Sequence, residues 1–279
     1  MRGKEARRMD GMARIIAFSL LTALTFFPAW AAAASETFAW SGGASARKFV
    51  LANASGDVNV AVAGDEIVVT ATKTAAEASD LDDVTVDVEE KGDAVHVKVK
   101  YPRDVRRAKD VRVDFDVTVP AGLGRVDVKV AGGNVTVTGV PEVEASVARG
   151  DVEIADAYKA VNVSVADGAV SVRNAALPTE KVKLNTVGGE LTLAAVLPAA
   201  GAAYDLSTVS GDVSLTLLGG TDNYDIAANT VSGDVTSTLP LKKYGGLVGN
   251  SYKGKAGEGN NAIHISVVKG SVDVSTGPE

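Results

Sequence analysis

Acidic residues recur directly after glycines along this chain, and a repeating fold could bring their carboxylates together. A row of carboxylates along one edge of such a fold could bind calcium through oxygen atoms. It could also supply the paired acids of a glycan-cleaving enzyme. Asp and Asn beside Gly are, however, ordinary turn residues whose side chains cap local backbone amides, and we expect this capping role here. The residues at this place are Asp57, Asn134, Asp151, Glu190, Asp212 and Asp234.

Other reactive groups are scarce in this sequence. The chain has no Cys, no Gly-x-Ser-x-Gly segment and two histidines, His96 and His264. Both histidines fall in segments with strand periodicity, and we expect both at the surface. Their distance in the sequence does not fit the close ligand spacing of a histidine metal site. We therefore predict no catalytic residue, no metal site and no cofactor, and we predict that the protein is not an enzyme.

Two strings near the C-terminal end imitate nucleotide-binding motifs. Gly249 to Lys255 has the spacing of a phosphate-binding loop, but Ala256 occupies the position of the metal-binding Ser or Thr. Gly257 to Ala262 imitates a dinucleotide fingerprint, but the strand-like Ile263 to Ile265 follows where a helix is required. Neither string predicts a nucleotide site.

Residues 242–259 contain the longest stretch that interrupts the periodic pattern, and we predict an irregular loop there. The stretch is rich in glycine and carries lysines and tyrosines on an otherwise acidic chain. Long loops on rigid scaffolds often carry binding residues. We expect Tyr244, Tyr252, Lys253 and Lys255 to be candidates for contact with a partner, although an insertion without a ligand fits the sequence equally well.

A repeated cassette must position all of these residues. In each copy, apolar residues stand seven and five positions before a glycine and two after it, and the position three before is Val in four copies and Thr in three, which is the period of a β-strand. The last inward position before the glycine and the first one after it are five residues apart. This odd separation requires a bend in the chain, so each cassette predicts two strands joined at a corner. The position two before the glycine is small and apolar, and parity does not place it inside or outside. The predicted corner residues are Gly56, Gly133, Gly150, Gly168, Gly189, Gly211, Gly233 and Gly270.

The spacing of the cassettes predicts an all-β, single-domain β-solenoid that resembles a parallel β-helix. From Gly133 the steps are 17 to 22 residues, followed by one of 37 to Gly270. An antiparallel sandwich is the alternative. We predict repeats over residues 126–279. A continuous β-rich part over residues 35–125 is expected to cap them and to include a hairpin around residues 90–93.

Residues 1–34 have the composition of a secretory signal peptide: a basic start, an apolar run and a small-residue cleavage region. Removing this segment takes away five basic and two acidic side chains, so the net charge moves from −7 to −10. An acidic chain poor in aromatic residues is a poor candidate for binding nucleic acid. We therefore predict an exported protein that is periplasmic, secreted or on the cell surface, without a transmembrane anchor after cleavage.

The repeated Thr-Val-Ser-Gly-Asp-Val at 208–213 and 230–235, and Val-Thr-Val-Pro at 117–120, resemble the bacterial putative-adhesin family of β-strand repeat proteins. The resemblance covers roughly residues 45–277. It implies a β-solenoid, export to the cell envelope and no established chemistry. The leading hypothesis is a non-enzymatic scaffold that binds a cell-surface glycan or an envelope protein. One alternative is a polysaccharide-acting enzyme that uses the acidic residues after the corner glycines, which we call the acidic column. The other is a structural or signalling module of the envelope.

Overall fold

The computed structural model describes residues 33–102, 111–174, 177–219, 222–245 and 249–277. The predicted signal peptide lies outside these residues except for its last two, of which Ala34 begins the first strand. The prediction of an all-β protein is confirmed. Within the described ranges the only helix is α1 (Ala78–Leu81), and it is one turn long.

The strands fall into an N-terminal group and a series of repeats. The N-terminal strands are β1 (Ala34–Gly42), β2 (Lys48–Ser55), β3 (Val58–Val62), β4 (Ile67–Ala75), β5 (Thr85–Lys91), β6 (Ala94–Lys100) and β7 (Arg112–Val119). The remaining strands are β8 (Arg125–Gly132), β9 (Val135–Thr138), β10 (Glu142–Arg149), β11 (Val152–Ala155), β12 (Ala160–Asp167), β13 (Val170–Asn174), β14 (Lys181–Gly188), β15 (Leu191–Val196), β16 (Ala203–Ser210), β17 (Val213–Leu218), β18 (Tyr224–Ser232), β19 (Val235–Ser237), β20 (Lys242–Gly245), β21 (Asn250–Ala256), β22 (Ala262–Lys269) and β23 (Val272–Gly277).

Each cassette forms one rung, which is a pair of strands joined at its corner glycine. The strand before the glycine joins a 12-stranded sheet, sheet 1, with the order β20-β21-β18-β22-β16-β14-β12-β10-β8-β2-β6-β5. The strand after it joins an 11-stranded sheet, sheet 2, with the order β1-β4-β7-β3-β9-β11-β13-β15-β17-β23-β19. Rungs stack in parallel and in register, so Val143 lies beside Val126 on one side and Val161 on the other.

Two features depart from the expected parallel β-helix. Neither sheet closes on itself in the part of the chain that the structure describes, and antiparallel strands extend both sheets at the N-terminal end. The β5–β6 hairpin is the one predicted around residues 90–93. The rung of β2 and β3 stacks directly on the rung of β8 and β9, which makes the N-terminal part continuous with the repeats.

The core lies between the two sheets and is built from the inward columns. Phe49 and Leu51 of sheet 1 and Val60 of sheet 2 have no solvent exposure, and the equivalent positions of the other rungs are buried with few exceptions. Burial of this kind contributes about 25 cal/mol per Å² of apolar surface, so the aligned columns make the main favourable contribution to folding. A parallel ladder keeps every such column on one face.

Stacking order differs from chain order at one place. The last rung, β22 and β23, lies between the rung of β16 and β17 and that of β18 and β19. The 37-residue step that precedes Gly270 contains strands β20 and β21. These strands pair antiparallel on the outer edge of β18, so the predicted irregular loop over residues 242–259 is wrong.

The corner glycines make the closest backbone approach between rungs. All eight have φ between +127° and +147°, which side-chain-bearing residues rarely adopt. A Cβ added to Gly168 would lie less than 3.0 Å from the carbonyl oxygen of Gly150, and each repeat glycine meets the preceding corner glycine in the stack in the same way. The glycines are therefore required by both conformation and space.

The loops on the other side of the rungs are held by buried polar side chains. The Asn174 Oδ1 accepts a hydrogen bond from the Ala157 amide at 2.9 Å, and its Nδ2 donates to the Thr179 hydroxyl at 2.9 Å. The Tyr204 hydroxyl donates to the Thr179 carbonyl at 2.9 Å. Burial raises the pKa of Tyr204 above its ordinary value.

Substitution of a corner glycine should destabilise the whole stack. We expect Gly168→Ala to lose about 1–3 kcal/mol from backbone strain, with a further cost from displacing the Gly150 carbonyl. Gly122→Ala is the matched control, because a Cβ there meets no atom within 4 Å. Urea unfolding of the two variants measures the difference, and equal stabilities would show that the corner does not require glycine.

Alkaline pH should unfold the protein partly through Tyr204. Its folded-state pKa is raised, so its contribution to stability is complete below the unfolded pKa of about 10 and is lost as pH rises above that value. We expect Tyr204→Phe to cost about 1 kcal/mol at pH 7 through the lost hydrogen bond and to lose less stability between pH 9 and 11. Parallel slopes of unfolding free energy against pH for the two proteins would contradict this assignment.

Candidate functional site

The acidic residues after the corner glycines do not form a cluster. In stacking order this column reads Asp57, Asn134, Asp151, Ala169, Glu190, Asp212, Ser271 and Asp234. Uncharged residues separate most of the carboxylates, and the inserted last rung places Ser271 between Asp212 and Asp234. Across the described residues no group of three or more His, Asp or Glu side chains could hold a metal ion.

These side chains instead cap the backbone of the adjacent rung. The Asp57 Oδ1 accepts from the Asn134 amide at 2.8 Å, and the Asn134 Oδ1 accepts from the Asp151 amide at 2.9 Å. The Asp151 Oδ1 accepts in turn from the Ala169 amide at 2.8 Å. The sequence predicts capping within each turn, whereas the structure places these caps between rungs. The caps therefore add to the stacking of the rungs.

The first cap in the series comes from strand β7. The Asp114 Oδ1 accepts from the Asp57 amide at 2.7 Å, and the Arg112 guanidinium contacts both Asp114 and Asp57. The Asp114 carboxylate, which hydrogen-bonds Arg112 most strongly, raises the pKa of that guanidinium. The Arg112 charge thus offsets part of the negative charge of two carboxylates at the N-terminal end of the column.

The two histidines lie far apart on one sheet, and the nucleotide-like strings form a strand and a connecting segment. His96 on β6 and His264 on β22 lie on the outer face of sheet 1, with six strands between theirs. Residues 250–256 form strand β21 rather than a loop that leads into a helix. Residues 257–261 connect this strand to β22.

The four candidate partner-binding residues lie on the β20–β21 hairpin and face in two directions. Tyr244 is 54% exposed on the outer face of sheet 1, and Lys253 and Lys255 are exposed on the same face. Tyr252 packs against the core, with the Lys243 Nζ 5.6 Å from its ring centroid. The hairpin therefore presents Tyr244 and the lysines outward, and it uses Tyr252 to cover the end of the core.

A second candidate site follows from the position two before each corner glycine, which parity left unplaced. These side chains are exposed and form one continuous line across the rungs, which we call the methyl row. Its four valines are each between 49% and 58% exposed. In stacking order the methyl row is Ala54, Ala131, Ala148, Ala166, Val187, Val209, Val268 and Val231.

A parallel line of mostly polar residues runs beside the methyl row, two positions earlier in each strand, and we call it the polar row. In stacking order it is Ala52, Lys129, Ser146, Ser164, Asn185, Ser207, Ser266 and Asn229. The two rows line a shallow, open groove on the outer face of sheet 1. One part of it has a volume of about 920 Å³ and another about 450 Å³, and Ser207 and Val209 line both.

The groove crosses the strands instead of following them. It extends from Lys98 and Val99 of β6 at one end to Tyr244 of β20 at the other. One side of it offers hydroxyl and amide groups and the other offers methyl groups. Sequence reasoning missed this site, although the small apolar residue repeated two positions before each corner glycine was a signal that could have revealed it.

These observations define a repeat protein whose stacked two-strand rungs carry a transverse surface groove. The chain belongs to the Toastrack DUF4097 family, whose model matches residues 46–275. This family is a domain family of unknown function, and the resemblance to β-strand repeat proteins named putative adhesins is confirmed. No curated protein matches the chain.

The chain is similar to several solved structures with which it shares little sequence. A putative cell adhesion protein from Clostridium sporogenes is 12% identical, with 88% of this chain and 100% of that chain covered and a TM-score of 0.40. A putative adhesin from Bacteroides fragilis is 14% identical, with 86% and 97% covered and a TM-score of 0.41. A putative lipid binding protein from Parabacteroides distasonis is 10% identical, with 87% and 96% covered and a TM-score of 0.38.

Substitutions at Asp151 should separate capping from carboxylate chemistry. We expect Asp151→Asn to keep the stability of the protein, because Asn134 caps the next rung through its amide oxygen in the same way. Asp151→Ala removes the acceptor and should cost about 1 kcal/mol. Thermal and urea unfolding measure both variants, and a loss in Asp151→Asn as large as in Asp151→Ala would show that the charge itself is needed.

Proposed function

We propose that this protein is an exported, non-enzymatic scaffold that binds an extended cell-surface glycan in the groove of sheet 1. The groove carries this proposal, because it combines length, a methyl surface and a line of hydrogen-bonding groups. A sugar chain needs both kinds of contact, since its rings present C–H groups on their faces and hydroxyls at their edges. The composition of residues 1–34 supports export.

The use of the acidic column supports a binding role over hydrolysis. Asp57, Asp151 and Asp212 each accept a backbone amide of the adjacent rung, so these carboxylates have a structural task. A glycan-cleaving pair would need two free carboxyl groups facing one sugar bond. Tyr244 closes one end of the groove and adds an aromatic side chain for contact with the bound polymer.

No helix in the part of the chain that the structure describes is long and apolar enough to cross a membrane. Both rows repeat at the spacing of adjacent strands, about 4.8 Å, so the proposed ligand makes similar contacts on successive rungs.

Filling the groove should weaken binding strongly without unfolding the protein. We expect Ala166→Phe to weaken glycan binding about tenfold or more, because its ring would occupy the space between the two rows. The measurement is binding of residues 35–279 to an array of envelope glycans, with the thermal midpoint as a check on folding.

The matched control is Ser171→Phe, which places the same ring on the outer face of sheet 2. It should bind as the unsubstituted protein does. Equal binding by Ala166→Phe and Ser171→Phe would place the ligand outside the groove, and an array without any bound glycan would refute the proposed function.

A further inference from the structure

The outer face of sheet 1 has a charge opposite to that of the whole chain. Eleven of its outward-facing side chains are Lys or Arg and seven are Asp or Glu, whereas the chain carries a net charge of −7. Clustering of one charge on one face favours a partner of the opposite charge. The remaining surface is correspondingly more acidic.

Most cations at the N-terminal end of this face are already paired. Lys48 lies 3.3 Å from Asp127, Lys100 pairs with Asp87, and Arg125 pairs with Glu144. Lys98 and Lys129 make no ion pair with any described residue. They are also the only charged side chains that line the groove in the described structure.

Lys98 and Lys129 flank a gap in the polar row. Strand β2 lies between β6 and β8, and Ala52 is in register with both lysines. The two Cα atoms are therefore separated by two strand spacings, about 10 Å, with only a methyl group between them. Two long ammonium side chains can converge over such a gap on one anionic group, and each could donate a charge-assisted hydrogen bond.

The rest of the groove determines what carries that anionic group. Beyond Lys129 the polar row continues with Ser146, Ser164, Asn185 and Ser207, which can exchange hydrogen bonds with sugar hydroxyls. An alkyl chain would leave these groups without partners where it covers them, at a cost of about 1–3 kcal/mol for each buried group. The groove thus fits a hydroxylated polymer better than a lipid tail.

We propose that the groove binds an acidic linear glycan and holds one of its carboxylate, sulfate or phosphate groups between Lys98 and Lys129. This inference rests on the proposed function and names the chemical class of its ligand. The acidic group marks one end of the binding site, and the polar and methyl rows hold the neutral part of the chain.

The test compares polymers of matched length by titration calorimetry with residues 35–279. Polygalacturonate, dextran sulfate and a phosphate-bearing mannan supply the three anionic groups, and dextran is the neutral reference. We expect at least one acidic polymer to bind about tenfold more tightly than dextran, with affinity falling as salt rises. The polymer that binds identifies the anionic group.

Two variants test the lysines directly. The double variant Lys98→Gln with Lys129→Gln should lose about tenfold in affinity for the acidic polymer, and Ala52→Glu should lose as much because its carboxylate occupies the gap. The control, Lys181→Gln with Lys183→Gln, removes the same charge from the same face outside the groove and should change affinity less than about twofold.

The outcomes separate this inference from the proposed function. If Ala166→Phe abolishes binding while the Lys98 and Lys129 double variant binds normally, the groove holds a glycan and the acidic class is wrong. Equal affinity for dextran and the acidic polymers would also overturn the inference. If none of the polymers binds and the glycan array is empty, the proposed function fails with it.

Discussion

The structure depends on a close contact between glycines. The carbonyl oxygen of one corner glycine occupies the place where the next corner residue in the stack would carry its Cβ, so the rungs approach this closely only if that next residue is glycine. This contact fixes the register of each rung against its neighbour. Because the register is fixed, every inward column meets the same column of the next rung, and every outward column becomes a continuous row.

Side chains next to the corner reinforce the same contact. The buried Thr230 hydroxyl donates to the Gly270 carbonyl at 3.1 Å, and Asp212 accepts from the Ser271 amide at 2.7 Å. The rung that contains Gly270 is the last in the chain but lies between two earlier ones. Its pairing with β16 joins residues about 60 positions apart, so this part of the stack is completed only when the C-terminal strands are in place. Contacts over such separations slow folding, since the intervening chain must first be ordered.

The sequence predicted much of the fold because strand parity and corner glycines are local signals. The inward columns around Val143 and Val161, the β5–β6 hairpin and the parallel register all follow from them. The position of the last rung could not be predicted, since nothing local distinguishes the Gly233 cassette from that of Gly270. The β20–β21 hairpin was missed because its glycines and lysines conceal the alternation that usually marks a strand.

The groove was harder to predict than the core. Its walls come from residues on successive rungs, and Ala166 and Val187 become neighbours only after stacking. The acidic column was prominent in the sequence, yet its oxygens face backbone amides of the next rung. A single cassette gives the residue types of a site in this fold, whereas its shape depends on the order in which the cassettes stack.

The methyl row changes from alanine at the β2 end to valine at the β18 end, and this gives the surface a direction. A bound chain would meet smaller side chains at one end and larger ones at the other, so its two orientations are not equivalent. Duplication of one cassette of about 20 residues would extend the same surface by one strand spacing, about 4.8 Å. Gain or loss of whole cassettes could thus change the length of bound polymer that such a protein contacts, while the geometry of each corner is unchanged.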